Sequence, residues 1–440
     1  MQPTGTSVRL IGMRNTFRLG AGMIAAAIVV GGCASAPSSR SVPRAGAGPV
    51  VARGVAKIEP AADPRPLGAA DTAFGLGVMR AWCTEYPRQN LVFSPSTLAT
   101  ALGMAYLGAG GATARAMARV LRLPAAGSGT LAAQLQARSR ALGALDGPGV
   151  TLAASNQVWA DPTLTTLPGY LNAVATGYDA GVDKTPLLSN PQRAASEINQ
   201  AISSATRGHI SRLVTPGMLA GIGWVLTSAL YMNAKWATPF EAGKTVAAPF
   251  TPAGAGPVSV PFMNGDGFRF ATAAGWTAVS LPYQGGKLAM TALLPPSGAG
   301  SCALPTTAAL QAMTGTLATR AAGTAQISLP KVSLSVTGDT GNMNGELKRL
   351  GMGLAFSDSA DFSALSPQAC CIGFVQQAAT LRVGEKGTVG TAAAAVGAIA
   401  ASEQLPASTV VLFNRPYLML VTDTSTGEPL FLATVANPAT

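Results

Sequence analysis

The chain has a single histidine, His209, among 440 residues. Hydrolases that activate a serine or cysteine nucleophile commonly use a histidine as the base, so a solitary histidine in a polar Arg-Gly-His turn argues against that class of enzyme. An unperturbed histidine favours a wet surface, and we expect His209 to be exposed. The chain is therefore not expected to be an enzyme.

Charged residues are also scarce, at 11% of the chain against 48% hydrophobic residues. That balance excludes a highly charged disordered chain and permits a large buried core. The formal net charge is +11, yet the lysines and arginines are scattered and form no basic run with interleaved aromatic residues. A groove for nucleic acid needs such a run, so we expect no nucleic-acid partner.

Cysteine is limited to five residues, and the first lies at the end of a targeting segment. Basic residues up to Arg18 precede an uncharged apolar stretch at residues 19–30, and small residues follow it. This order is that of a secretory signal, and the stretch is too short and too rich in glycine for a stable spanning helix. We expect residues 1–32 to be a signal peptide.

The junction Val-Gly-Gly-Cys resembles the bacterial lipobox, which makes Cys33 the lipidated first residue of the mature chain. An ordinary signal peptide cleaved within residues 34–38 is the alternative. Residues 33–66 are rich in Pro, Ala, Gly and Ser and predict a flexible tether before a domain at residues 67–440. Through its lipid, we expect the protein to be anchored in the periplasm or at the outer membrane or cell surface.

The other four cysteines match neither a disulfide framework nor a zinc site in number or spacing. Buried thiols or one disulfide bridge are the two structures that this pattern favours, and no metal or organic cofactor is expected. The four residues are Cys83, Cys302, Cys370 and Cys371.

Helical periodicity dominates the N-terminal half. Ser94 and Pro95 form a polar cap and a first-turn proline that favour a helix start, and further helices are predicted at residues 128–142 and 191–206. From Trp224 onward, turn residues separate short β-rich runs. These runs cover residues 224–232, 278–282, 288–294, 326–334, 380–383 and 417–421. Helices first and strands later predict an α+β domain.

One uncharged segment, residues 213–234, has the length of a membrane span. Its interior contains Pro216, Gly217, Gly221 and Gly223. Those residues favour a loop that enters a buried central strand over a membrane span.

Seven separate stretches resemble the serpin family, in the family's order, between about residues 71 and 438. They include NLVFSPSTLATALGMAYLGAGGATARAM from Asn90, LTSALYMNAKWATPF from Leu226, LKRLGMGLAFSDSADFSALS from Leu347 and FNRPYLMLVTDTSTGEPLFLATVANP from Phe413. The resemblance implies the serpin fold, which is α+β with a large central mixed β-sheet, further β-sheets, about eight or nine helices and an exposed reactive-centre loop. It also implies a monomeric inhibitor of serine proteases.

The stretch VGEKGTVGTAAAAVGAIAASEQL from Val383 resembles the family's hinge and reactive-centre loop. Residues 387–402 hold neither charge nor proline, as a segment that becomes a central strand requires. Alternate residues of an inserted strand share one face, and all six on one face here are small or apolar. They are Thr388, Gly390, Ala392, Ala394, Val396 and Ala398. For the segment taken alone, a flexible surface linker is the alternative.

The resemblance also assigns individual residues. The hinge comprises Glu385, Lys386, Gly387, Thr388, Val389, Gly390, Thr391, Ala392 and Ala393. The sheet-opening region comprises Ser94, Pro95, Ser228, Gln377 and Trp236. Lys386 stands where the family has an acidic residue, Ser228 where it has asparagine and Gln377 where it has histidine. That last pair either changed together to keep a hydrogen bond or altered the opening.

The reactive bond is expected between Ala401 and Ser402, sixteen residues after Glu385, which suits a protease with an elastase-like pocket. Phe413 follows Glu385 by 28 residues, a few more than the resemblance implies, so Leu405 and a chymotrypsin-like target compete. Cleavage is expected to trap the protease covalently as the loop inserts. A non-inhibitory binding protein, or a substrate whose loop is only cut, is the alternative function.

Overall fold

The computed structural model describes residues 50–125, 127–336, 341–388 and 409–440. Within these residues the helices are α1 (Arg65–Glu85), α2 (Pro95–Tyr106), α3 (Gly111–Val120), α4 (Ser128–Gly143), α5 (Pro168–Tyr178), α6 (Pro191–Ala205), α7 (Pro216–Leu219), α8 (Thr307–Leu317) and α9 (Asn344–Leu347). The strands are β1 (Val50–Ala52), β2 (Leu91–Phe93), β3 (Val150–Ala160), β4 (Val182–Lys184), β5 (Trp224–Lys235), β6 (Val246–Phe250), β7 (Val258–Ala273), β8 (Trp276–Pro282), β9 (Leu288–Leu294), β10 (Gly323–Pro330), β11 (Val332–Val336), β12 (Val375–Gly384), β13 (Gly387–Thr388), β14 (Thr409–Leu412), β15 (Tyr417–Asp423) and β16 (Pro429–Val435).

These strands form two sheets. Sheet A has the order β1-β4-β3-β5-β13-β12-β11, and sheet B has the order β14-β10-β7-β8-β9-β15-β16-β2, with β6 beside β7. Sheet A is mixed, because β5 is antiparallel to β3 and parallel to β12. A large hydrophobic cluster joins residues of both sheets with residues of α1 and α2. The predicted α+β fold with a large mixed sheet is confirmed.

Helix α2 begins where the sequence predicts. The Ser94 hydroxyl accepts a hydrogen bond from Thr97 N at 3.3 Å, and Pro95 occupies the first turn, where its missing N–H costs nothing. Every residue from Pro95 to Ala105 is buried, because α2 packs against β3 and β5 of sheet A and against β16 of sheet B.

The uncharged segment at residues 213–234 is divided between the short helix α7 and strand β5. Strand β5 lies inside sheet A, and Trp224 to Met232 are all buried, so its lack of charge reflects burial on both faces. Among the described residues, no helix has both the length and the apolar character that crossing a membrane requires.

One strand prediction needs correction, and one strand was missed. The run at residues 326–334 is two strands, because the chain leaves sheet B after Pro330 and enters sheet A at Val332. Strand β3 in the N-terminal half was not predicted. Its centre, Ser155 to Gln157, is polar and interrupts the apolar pattern, although β3 pairs with β5 over its whole length.

The expected domain boundary at residues 66 and 67 falls inside α1. Strand β1 pairs with the edge strand β4, with Val51 opposite Asp183, and Lys57 N donates to Thr176 Oγ1 at 3.0 Å. An edge strand offers unpaired backbone groups to any extended chain, which explains ordered pairing in a segment without apolar periodicity. The expectation of a flexible tether is therefore wrong for residues 50–66.

Cys83 in α1 and Cys302, before α8, form a disulfide with their Cα atoms 5.6 Å apart. The expectation of one bridge is confirmed. Cys370 and Cys371 are free, and Cys370 is exposed, so the alternative of buried thiols is wrong for Cys370.

A buried ion cluster ties α1 and α4 to the residue before β16. Arg138 Nη1 lies 2.5 Å from Asp71 Oδ2 and 3.8 Å from Glu428 Oε1, and Nη2 donates to Thr100 Oγ1 at 2.9 Å. The side chains of Arg138, Asp71 and Glu428 are each at most 3% exposed. Burial raises the pKa of Glu428 well above its usual value, with the nearby Asp71 adding to the shift.

Candidate functional site

Strands β5 and β12 are joined at one end and parted at the other. Leu226 to Leu230 pair in parallel with Val375 to Ala379, and the direct pairing stops there. At the other end β13 lies between them, with Thr388 opposite Ala234 on β5 and Val383 on β12. Both of these pairings are antiparallel. Sheet A therefore already admits the first residues of the segment that follows β12.

Gly387 is required by the close approach of β13 to β5. Its φ is 151°, and a Cβ at this position would lie 2.1 Å from Ala234 O. A side chain here would push the hinge out of the sheet, so glycine is the residue that permits this geometry. The neighbouring Lys386 is exposed.

The Thr388 side chain points into the protein and is 1% exposed. Its hydroxyl is hydrogen-bonded to Tyr283 OH at 2.6 Å, and burial raises the pKa of Tyr283, which keeps the phenol protonated. The Tyr283 ring stacks on Trp236 with centroids 4.5 Å apart, and Trp236 Nε1 donates to Gly384 O at 2.9 Å. These contacts fix the hinge where it enters the sheet.

Glu385 anchors the turn between β12 and β13. Its Oε1 accepts hydrogen bonds from Lys331 Nζ at 3.1 Å and Thr245 Oγ1 at 3.0 Å, and its carbonyl accepts from Phe240 N at 2.9 Å. Burial alone would raise the pKa of Glu385, but hydrogen bonds from its own amide, Lys331 and Thr245 hold it below its ordinary value. The carboxylate is therefore ionised at neutral pH and holds the turn.

A row of polar side chains crosses sheet A at its closed end. Asn156 on β3 is the register partner of Ser228 on β5, and Ser228 is the partner of Gln377 on β12. The Asn156 amide, oriented to satisfy its neighbours, donates to Thr97 O at 3.2 Å. The row therefore faces the start of α2, where Ser94 is the cap. The structure thus brings four sheet-opening residues to one end of the gap and places Trp236 at the other.

Gln377 has no hydrogen-bond partner for either amide atom among the described residues, although it is 1% exposed. A preserved hydrogen bond between Gln377 and Ser228 is therefore absent, and that interpretation of the paired replacement is wrong. A buried unsatisfied polar group costs about 1–3 kcal/mol. This amide destabilises the native sheet where β5 pairs with β12.

Replacing Gln377 with methionine is expected to raise the free energy of unfolding of the native form by about 1–3 kcal/mol, because it removes the unsatisfied amide at similar volume. Urea unfolding followed by tryptophan fluorescence measures the change. Gln376→Met is the matched control, since Gln376 is buried on the same strand and does have an interaction partner, and it should not stabilise. Equal effects of the two substitutions would contradict the assignment.

The remaining sequence predictions divide into two groups. His209 is exposed, as predicted, and its ring stacks on that of Tyr231 with the ring centroids 3.7 Å apart. Several predicted residues lie outside the described part of the chain. They are Cys33, Val389, Gly390, Thr391, Ala392, Ala393, Ala401, Ser402 and Leu405.

The residues that contact the hinge or the polar row and were not predicted from sequence include Tyr283, Lys331 and Asn156. Tyr283 and Lys331 lie in two others of the seven stretches that resemble the family, SLPYQGGKLAMTALLP from Ser280 and SLPKVSLS from Ser328, and the resemblance is the available signal for them. Asn156 lies in β3, which was not predicted as a strand because its central residues are polar.

The structure thus defines a protein whose central mixed sheet is paired at one end and holds the start of an extra strand at the other. Residues 69–438 match the family model described as serpin, serine protease inhibitor. The match covers most of the chain, and the chain belongs to the serpin family.

Relatives of the chain include both inhibitors and binding proteins. It is 27% identical to leukocyte elastase inhibitor A of Mus musculus, covering 84% of this chain and 99% of the relative. It is 28% identical to thyroxine-binding globulin of Mus musculus, covering 84% and 88%. The solved native structure of tengpin, a thermophilic serpin, superposes with a TM-score of 0.72 at 23% identity, covering 89% of this chain and 100% of tengpin.

Proposed function

We propose that the chain inhibits serine proteases by loop cleavage, covalent trapping of the acyl-enzyme and insertion of the cleaved loop into sheet A. The observation that carries the proposal is the position of Gly387 and Thr388 between β5 and β12. Chain continuing in the same direction from Thr388 would run antiparallel to both neighbours, towards the end where they are still paired.

The register of β13 gives the expected pairing of the inserted strand. Thr388 opposite Ala234 and Val383 places Ala394 opposite Ser228 on β5 and Gln377 on β12, six residues further along each strand. A small side chain would thus enter the polar row under α2. Ala398 would reach Trp224, the first residue of β5, which leaves the expected Ala401–Ser402 bond just beyond the end of the strand.

Insertion exchanges one strand interface for two. The parallel pairing of β5 with β12 is lost, and an antiparallel interface forms on each side of the new strand. Antiparallel pairing is slightly the more stable per residue, and each added backbone hydrogen bond contributes about 1 kcal/mol. The inserted form is therefore favoured at equilibrium, and the native form persists because of a kinetic barrier.

The trapping step is an acyl transfer that stops at the acyl-enzyme. The protease serine Oγ attacks the carbonyl of the residue before the cut, the peptide C–N bond breaks, and the new amino terminus leaves with a proton. The loop remains attached to the protease as an ester. Insertion then draws the protease across the domain, and distortion of its oxyanion hole slows hydrolysis of the ester.

The side chain before the cut selects the target. Ala401 would suit an elastase-like pocket and Leu405 a chymotrypsin-like pocket. The relation to an elastase inhibitor supports the first choice. Mass spectrometry of the released C-terminal peptide distinguishes the two cut sites.

The proposal is tested by mixing the purified protein with an elastase-like and a chymotrypsin-like protease and separating the products on a denaturing gel. Inhibition by trapping predicts a new band at the summed mass of protease and inhibitor that survives denaturation. Clipped product alone, with the protease fully active, contradicts the proposal.

A binding protein is the second candidate. A cavity of about 640 Å³ lies between α1, α8 and β15, and its lining includes Thr72, Leu310 and Leu420. One relative carries its ligand in its name, thyroxine-binding globulin. Clipping without trapping, together with saturable uptake of an apolar small molecule, would favour this function.

We further propose that the protein is secreted as a monomer and anchored through a lipid on Cys33. The apolar segment and the Val-Gly-Gly-Cys junction support this. A Cys33→Ser variant should lose incorporation of labelled fatty acid and shift from the membrane to the soluble fraction. Unchanged labelling would contradict the anchor.

A further inference from the structure

A group of metal-ligand side chains lies on the loop that leads into β12, apart from the hinge. Its members are Asp358, Cys370 and Cys371, and their ligand atoms all lie within 4.8 Å of one another. Cys370 Sγ is 2.9 Å from Cys371 Sγ and 3.8 Å from Asp358 Oδ1. Successive side chains of an extended chain point to opposite sides. The backbone here instead turns both thiols to one side and towards the carboxylate.

We propose that Asp358, Cys370 and Cys371 form a binding site for a thiophilic divalent cation of the Zn²⁺ class. Bond lengths of about 2.3 Å to sulfur and about 2.1 Å to oxygen at tetrahedral angles separate sulfur from oxygen by about 3.6 Å and the sulfurs by about 3.8 Å. The observed sulfur-to-oxygen distance of 3.8 Å fits this geometry. The two sulfurs need only a small opening, which the exposed Cys370 side chain can provide by rotating.

The donor set selects the class of metal. Two sulfurs and one carboxylate favour zinc or a softer ion over Mg²⁺ and Ca²⁺, which take oxygen ligands. Three protein ligands leave one position for water, and the exposure of Asp358 and Cys370 leaves the site open to exchange with solvent.

One backbone hydrogen bond joins the two halves of the site, and two side-chain hydrogen bonds of Asn344 fix the chain that follows the cysteines. Ile372 N donates to Ala355 O at 2.8 Å, which ties the cysteine pair to the turn before Asp358. Asn344 Nδ2 donates to Gly373 O at 3.1 Å, and Asn344 Oδ1 accepts from Val375 N at 2.9 Å. A bound cation would therefore cross-link the turn at Asp358 to the segment that leads into β12. This inference does not depend on the inhibitory function.

The test is a zinc titration of the purified protein against a chromophoric chelator, with Cd²⁺ as an ultraviolet probe of metal–sulfur bonds. One equivalent of Zn²⁺ should bind, Mg²⁺ and Ca²⁺ should not compete, and either Cys370→Ser or Cys371→Ser should weaken binding by at least about tenfold. Asp361→Asn is the control, because Asp361 lies nearby and is engaged by Ser363. No bound equivalent, or equal binding by the cysteine variants, would overturn the site.

A second measurement needs no substitution. Saturating Zn²⁺ should slow alkylation of Cys370 and Cys371 in the native protein, as read by peptide mapping, because the metal occupies both thiols. An alkylation rate that Zn²⁺ leaves unchanged, or a pair already oxidised in the purified protein, would also overturn the proposal.

Discussion

Replacing Thr388 with arginine is expected to abolish the proposed trapping of proteases and to leave the protein a substrate that is only cut. Thr388 is 1% exposed and is hydrogen-bonded to Tyr283 inside the protein. Arginine cannot enter this position without burying an unpaired charge, which costs several kcal/mol. Each 1.4 kcal/mol slows a step tenfold, so insertion should slow by at least about 100-fold. Hydrolysis of the acyl-enzyme should then be faster than insertion of the loop.

The measurement is the number of inhibitor molecules consumed for each protease molecule inactivated, with the covalent band as a second readout. Thr388→Val is the matched control, because it keeps the shape and loses only the hydroxyl, and it should remain an inhibitor. Lys386→Arg places an arginine at the neighbouring exposed position and should change little. Undiminished trapping by Thr388→Arg would contradict insertion through this gap.

Replacing Arg138 with methionine is expected to lower the free energy of unfolding by about 3–5 kcal/mol. Removing the cation leaves the buried Asp71 carboxylate without its counter-ion, and breaking a buried ion pair from one side has an effect of this size. Urea unfolding measures the change. Arg207→Met is the control, because the Arg207–Asp146 pair at 3.2 Å has side chains 53% and 46% exposed, and its loss should cost less than about 1 kcal/mol. Equal losses would contradict the cluster's role.

The same cluster predicts a pH dependence. The folded-state pKa of Glu428 is raised above the ordinary value of 4.5, chiefly by burial. The folded protein thus keeps a proton that the unfolded chain has released. The contribution of Glu428 to the free energy of unfolding is fully present below pH 4.5, and it is lost as the pH rises through the folded-state pKa. Glu428→Gln should flatten that decline above pH 4.5, and an unchanged slope would exclude Glu428 as its source.

Features with a local cause could be predicted from sequence. The start of α2 follows from Ser94 and Pro95, and burial of β5 follows from its uncharged run. The hinge could be recognised from its resemblance to the family, with which the absence of charge and proline at residues 387–402 agrees. The inward direction of Thr388 follows from strand alternation once one partner is known.

Other features depend on contacts between residues far apart in the sequence, which no local sequence pattern predicts. The Cys83–Cys302 bridge spans 219 residues, and the contact between Thr388 and Tyr283 joins segments 105 residues apart. The polar centre of β3 is stable inside sheet A because Asn156 reaches Thr97 of α2. The lack of a hydrogen-bond partner for the Gln377 amide depends on which residues surround it in the fold, and no local sequence pattern indicates that.

The most direct test compares the heat resistance of the intact protein with that of the protein nicked once within residues 389–408. Insertion of the severed loop would add a full strand to the centre of sheet A, so the proposal predicts that the thermal midpoint of the nicked form rises by at least about 10 °C. A nicked protein that unfolds at the same temperature as the intact one, or below it, would contradict the claim that sheet A accepts its own severed loop.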